Sequence, residues 1–317
     1  MRALAETVRH RSAEERPAVL ARPVAEQGFG PKRPADALIV DADGSCHGTL
    51  YRGAFDAELA AEAAALTASG RTARVHAVAV HDEEVRRARL TCGGQAEVLL
   101  QALHTVPARW WELLAEGVDA ALVTRLDPER GEAVSTVVVP GRADAGPRIP
   151  AAAAEQARRL LDRHRAGRET LVTEDGLLLV EACPAVPYLI VVGDGELAEL
   201  LRAQAALLDW RVTVTADTDR VRSLVAELPA AACLVVLSHE PDTDVPCLEA
   251  ALTAGAPYVG ALGSRHTQDR RAAALRARGV TDAVLSRVHG PIGLDIGART
   301  PAETALAICA EVLAELR

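Results

Sequence analysis

Residues 188–217 read YLIVVGDGELAELLRAQAALLDWRVTVTAD, and this stretch decides the fold. An apolar run, Tyr188 to Val192, stops at Gly193-Asp194-Gly195-Glu196-Leu197-Ala198 and opens into a segment of helical period. A second β-branched run, Arg211 to Thr215, follows and ends at Asp217. Strand, turn, helix and strand in this order make a mononucleotide-binding unit, with G-x-G-x-x-A in the turn. Gly193 permits the tight turn, Gly195 lets backbone amides approach a pyrophosphate, and Ala198 lets the helix pack close to the sheet. The helix N-terminus offers unpaired N–H groups and partial positive charge to an anion. Asp217 lies about 20 residues beyond the turn, where an acid that hydrogen-bonds a ribose is expected.

Downstream, the pattern keeps alternating. Strands are expected at 188–192, 211–215, 233–237, 257–262 and 282–285, with helices at 196–208, 218–228, 246–254, 267–278 and 301–316. Alternation of this kind implies a parallel, Rossmann-like sheet with right-handed crossovers. Thr300-Pro301-Ala302-Glu303 is a strong start signal for the last helix. Ahead of the unit, Pro184 and Pro187 break regular structure and mark a boundary between a domain at 1–183 and one at 184–317. The earlier domain reads as α+β. Helices are expected at 2–10, 55–68 and 150–165, and β-like runs at 18–25, 37–40, 74–80, 96–101, 119–125, 134–139 and 177–181. Asp41-Ala42-Asp43-Gly44 reads as a hairpin turn.

Ligands of a doubly wound sheet bind outside the carboxyl ends of its strands. Those ends carry Gly193 and Gly195, then Asp217, then Ser238-His239-Glu240. Gly263-Ser264-Arg265-His266 follows the fourth strand, and His289-Gly290-Pro291-Ile292-Gly293-Leu294-Asp295 the last. Ser264 is placed to cap the next helix and Arg265 to fork onto a phosphate. The glycine-rich loop 289–299, with Gly293 and Asp295, reads as ligand-facing. His239 and His289 are candidate proton carriers, although a lone histidine is more often structural. In the first domain, Thr91-Cys92-Gly93-Gly94 stands before a strand. Bare backbone around Cys92 suits a sulfur ligand or cofactor contact, and a small residue in a glycine turn is the plain alternative. Pro31-Lys32-Arg33-Pro34 is a short basic loop.

The chain's 317 residues suffice for two cores. Its apolar fraction is 49% and its aromatic fraction 3%, so leucine, valine, alanine and isoleucine must build those cores. A formal charge of −9 opposes a general role on nucleic acids or anionic membranes. The start MRALAETVRHRSAEER is too charged for a signal peptide, and no apolar run is long enough to span a membrane. The 6 cysteines are scattered without a C-x-x-C pair, which fits reduced thiols in the cytoplasm rather than a disulfide framework or structural zinc.

Taken together, GDGELAELLRAQAALLDWRVTV, LSHEPDTD, YVGALGSRHTQDRRAAAL and above all RVHGPIGLDIGARTPAETALAICAEVL resemble the xanthine dehydrogenase accessory family, of the XdhC/CoxI type. GFGPKRPADALIV and TCGGQAEVLL resemble that family's N-terminal segments. The resemblance implies a maturation factor rather than an enzyme. It would bind molybdenum cofactor, a phosphate-bearing pterin in mono- or dinucleotide form, and assist its sulfuration and insertion into an apo molybdenum hydroxylase of xanthine or carbon monoxide dehydrogenase type. A cysteine desulfurase is the implied second partner, and a homodimer is the default assembly. Gly193, Gly195, Ser264, Arg265 and Asp295 would take the phosphate end and Cys92 the metal end. The chain departs from the family pattern at Ala54, where a cysteine is usual, and at Asp56, where glutamate is usual. It departs again at Phe29, usually serine, and at Ala216, the first of an acid pair. An NAD(P)-dependent oxidoreductase or a nucleotide-sensing protein on the same fold is the alternative, resting on the fingerprint and Asp217. The loss of cysteine at Ala54 motivates a third reading, a binding module that acts as a partner or regulator.

Overall fold

In the computed structural model, residues 1–12, 17–29, 35–80, 93–142, 144–163, 166–173, 176–228 and 231–316 are described. The chain divides into two compact units, Met1–Pro184 and Ala185–Arg317.

The first unit carries two antiparallel sheets. In one, β1 (Ala18–Gly28) lies between β2 (Leu38–Asp41) and β5 (Gly94–Ala102), with β3 (Cys46–Gly48) and β4 (Ala73–Val80) at the edges. Pro23 sits inside the central strand, where it has no N–H for the ladder. The register against β5 slips there, between Pro23 and Ala25, so the proline occupies a bulge. The turn expected at 41–44 joins β2 to β3. Gly44 takes φ +84°, Gly44 N donates to Asp41 O at 2.9 Å, and Asp43 Oδ1 accepts from Ser45 N at 2.9 Å. The second sheet runs β7 (Glu132–Val138), β6 (Ala120–Asp127), β9 (Gly176–Cys183), β8 (Gly167–Thr173). Helices α1 (Arg2–Ser12), α2 (Asp56–Ser69), α3 (Ala108–Glu116) and α4 (Ala151–Asp162) cover the sheets. Trp110 and Trp111 of α3 are buried in the largest core cluster of this unit, with Leu20, Ile39 and Leu122.

Between hydrophobic layers the first unit buries charge. Arg22 of β1 donates to Glu181 of β9 and to Gln101 of β5, and is fully buried. Arg168 of β8 donates to the other Glu181 oxygen at 2.9 Å. Gln101 passes the chain on to Ser135 at 3.0 Å, which pairs with Thr124 at 2.9 Å. One charged network therefore draws on β1 and β5 in the first sheet and on β6, β7, β8 and β9 in the second.

The second unit is a parallel sheet in the order β11-β10-β12-β13-β14. Its strands are β10 (Tyr188–Val192), β11 (Arg211–Thr215), β12 (Ala232–Val236), β13 (Tyr258–Ala261) and β14 (Val288–His289). Numbered within the unit this is 2-1-3-4-5, which reverses direction at the first strand. Helices α5 (Glu196–Leu207), α6 (Thr218–Glu227), α7 (Pro241–Ala254), α8 (Arg265–Ala277) and α10 (Pro301–Glu315) flank it. Strands β10 and β12 are buried at every position, as helices on both faces require. Trp210 precedes β11 and is partly buried against the core on the α5–α10 face.

The last strand differs from the sequence expectation. Residues 282–285 form a helical turn, α9 (Asp282–Leu285), and the fifth strand is Val288–His289, paired with Val259 and Gly260. Thr281 in extended conformation followed by Asp282 is a helix start, and it prevails over the β-like look of Ala283-Val284-Leu285.

Candidate functional site

The reversal of strand order places the ends of β10 and β12 side by side, and a crevice opens at such a point. Gly193 leaves β10 at φ +123°, and a Cβ there would lie 3.1 Å from Ser238 N. Gly195 then starts α5 at φ +87°, with open space where a side chain would be. Ala198, fully buried, seats the helix on the sheet. No side chain caps α5. By contrast α6, α8 and α10 are capped by Asp217, Ser264 and Thr300 respectively, the last with Glu303 in a capping box. The first-turn amides of α5 thus point outward without a side-chain acceptor, beside a glycine that admits close approach.

Asp217 serves the fold as well as any ligand. Its Oδ1 accepts from Asp219 N at 2.9 Å and Arg220 N at 3.2 Å, so one carboxylate oxygen is committed to α6.

At the ends of β12 and β13 the structure reveals a cluster built around two residues that the sequence reading did not single out. Asp244 of α7 and Arg271 of α8 form a buried pair at 2.6 Å. The Ser238 hydroxyl donates to Asp244, so Ser238 faces an internal partner. Ser264 Oγ accepts from Thr267 N at 3.3 Å, as a cap should, and leaves Arg265 and His266 exposed. His239 is exposed beside Ser238.

The loop after β14 is tied down more than its glycines suggest. Gly293, at φ +97°, turns its N–H onto Glu311 at 2.8 Å, and the same carboxylate oxygen accepts from the Tyr258 hydroxyl. Burial, then Glu311, push that hydroxyl well above the ordinary tyrosine range. His289 stacks on Tyr258 with centroids 4.9 Å apart and lies 3.6 Å from Glu311 and 3.8 Å from Glu315. Gly293 and His289 are therefore partnered within the fold, while Asp295 is exposed.

In the first unit three separate segments meet. Gly28 and Gly94 bring two backbones into contact, for a Cβ on Gly28 would lie 2.4 Å from Gly93 O. Phe29 N donates to Gly93 O at 3.1 Å. Phe29 packs on Tyr51 at 4.2 Å and on Phe55 at 6.1 Å. Phe29, Tyr51 and Arg52 all hold positive φ, at 64°, 50° and 56°, a strained conformation for residues with side chains. Ala54 packs against this cluster. Cys46 is half-buried, and burial followed by the charge of Asp56 raises its thiol. Cys92 and the loop Pro31-Lys32-Arg33-Pro34 lie outside the described residues. Among the described residues no group of three or more His, Cys, Asp or Glu side chains is placed to hold a metal ion. No described helix is long and apolar enough to cross a membrane.

The second unit is an α/β unit with a parallel, Rossmann-type sheet, and the first is built on antiparallel sheets. A family model described as the XdhC Rossmann domain matches residues 189–312, and one described as the XdhC and CoxI family matches residues 12–77. The chain belongs to the XdhC and CoxI family. It is 31% identical over 147 residues to the uncharacterized protein YqeB of Escherichia coli (strain K12). That alignment covers 40% of this chain and 27% of YqeB, so the chain spans little more than a quarter of that relative. A crystal structure described as a xanthine dehydrogenase from Bacillus halodurans shares the fold, with a TM-score of 0.63 at 18% identity, over 99% of this chain and 95% of that one.

Proposed function

We propose that this chain is an accessory protein for a molybdenum hydroxylase of xanthine or carbon monoxide dehydrogenase type, and that its second unit holds the phosphate end of the molybdenum cofactor. The observation that carries this reading is the uncapped N-terminus of α5 behind Gly195, at the point where the strand order reverses. Free amides, a glycine with nothing within 4 Å of its missing Cβ, and a helix dipole suit a phosphate or pyrophosphate. Gly193, Gly195, Ser264 and Arg265 bind and orient that end, and exposed Asp295 lies on the loop beyond β14. When bound, the cofactor's molybdenum supplies redox and sulfur-ligand chemistry. The metal end falls to Cys92 of the Thr91-Cys92-Gly93-Gly94 segment, as the family resemblance implies. Sulfuration with a cysteine desulfurase, delivery to the apo-hydroxylase and a homodimeric state belong to the same proposal.

An NAD(P)-dependent reading rests on the same turn. It is the weaker one because both matching family models are of the XdhC and CoxI type; Asp217 keeps Oδ2 for a ribose, its Oδ1 being engaged by two backbone amides. Calorimetric titration with isolated molybdenum cofactor, NAD(H) and NADP(H) separates the two. The proposal requires selective binding of the molybdenum species, weakened by Gly195→Val. Binding of a nicotinamide nucleotide alone would overturn it. A Cys92→Ser variant that binds and delivers cofactor like the unaltered protein would remove Cys92 from the site.

A further inference from the structure

Arg271 is buried, and every N–H of its guanidinium is engaged near the carboxyl ends of β12 and β13. Nε donates to Asp244 Oδ2 at 3.1 Å, and Nη2 to the same oxygen at 2.6 Å. Nη2 also donates to Ser238 O at 2.8 Å, and Nη1 to Leu262 O at 2.7 Å and Gln268 Oε1 at 3.3 Å. A guanidinium has five donors, and all are used, so none is left to touch a ligand. Two of the acceptors are carbonyls of the loops that follow β12 and β13. Gly263, at φ +135°, packs on Thr267, whose Cβ an added Cβ would approach to 3.1 Å. On the other flank, Ser238 N is held by Val192 O at 3.2 Å, and Gly193 lies against it.

We infer that Arg271, locked by Asp244, is the positioning residue of the anion site. It fixes the loop 262–265 and the loop after β12 beside the Gly193–Gly195 turn, so that the α5 amides and the Ser264–Arg265 helix start, two strands apart in the sheet, keep a preset relative geometry. Preset donors avoid the ordering that would otherwise weaken binding. Lysine keeps the charge but has three donors on one nitrogen, so it cannot reproduce the five bonds that the planar guanidinium makes from three. The inference rests on the reading of this unit as a phosphate binder.

The test titrates the full chain with ADP and, separately, with inorganic pyrophosphate. Measurements are made at a temperature where each protein retains its far-ultraviolet spectrum. Arg271→Lys is expected to weaken both probes about tenfold, the effect of losing one charge-assisted contact. Asp244→Asn, which preserves shape, is expected to act in the same direction. Hydrogen exchange on the unaltered protein removes any dependence on variant folding, and ADP is expected to protect amides at 194–198 and 263–267 together. Unchanged affinity in the variants, loss for ADP but not pyrophosphate, or protection confined to 194–198 would overturn the role of Arg271. If the unaltered protein binds neither probe, the phosphate-binding reading itself fails.

Discussion

Glu181 shows how one residue can set the acid stability of a unit. Burial alone would raise its carboxyl, but Arg22 and Arg168 outweigh burial and hold it below the ordinary glutamate value. A carboxyl depressed in the folded state stabilises fully above the unfolded value, and that contribution is lost as pH falls through the folded one. The urea midpoint of the first unit should therefore drop on acidification, and Glu181→Gln should flatten that dependence. At neutral pH, Glu181→Ala leaves two buried guanidinium groups short of their counter-charge and is expected to cost about 3–5 kcal/mol. Gly195 makes the opposite case, since nothing stands where its Cβ would be. Gly195→Ala should therefore cost only the penalty of a positive-φ, extended-ψ backbone essentially reserved for glycine, on the order of 1–3 kcal/mol, readable in the thermal midpoint. At Gly260 an added Cβ would come within 2.6 Å of both Ile292 and the Tyr258 hydroxyl, so Gly260→Ala should be the worse variant through overpacking.

The start of α6 separates a structural role of Asp217 from a ligand role. Asparagine can still accept from the backbone amides of Asp219 and Arg220, whereas alanine cannot. Asp217→Ala is therefore expected to lose about 1 kcal/mol of stability and Asp217→Asn only a small part of that. If Asp217→Asn nevertheless weakens a nucleotide in a titration, the charge itself reads the ligand. Elements with strong local signals were legible in the sequence. β10 and β11 stand at the residues expected because an apolar run broken by Gly193 and a β-branched run after Trp210 leave few alternatives. β14 was not legible, for a strand of two residues carries no period and the neighbouring Asp282–Leu285 resembles one. β8 escaped notice because Arg168, Glu169 and Thr170 give an edge strand no apolar face. The turn glycines Gly193 and Gly195 and the Ser264 cap announce themselves within a few residues. The Asp244–Arg271 pair is 27 residues apart on two helices and has no local signature, and only the assembled fold brings it together.

Across the molecule, the division at Pro184–Ala185 predicts two unfolding events rather than one. Calorimetry of the full chain should resolve into two transitions, with acid shifting the first unit's more, and a single two-state transition would refute this. The same division shapes the chain's optical properties. The sequence has 3 tryptophans. Trp110 and Trp111 are buried side by side in the first unit, and Trp210 alone belongs to the second. Intrinsic emission therefore divides by unit without any label. Trp210→Phe leaves a fluorescence signal that reports the first unit only, and the difference from the unaltered protein isolates the second. Because Trp210 precedes β11, at the opposite end of the strands from Gly195, its emission reports the integrity of the sheet independently of direct contact with a ligand at the crevice.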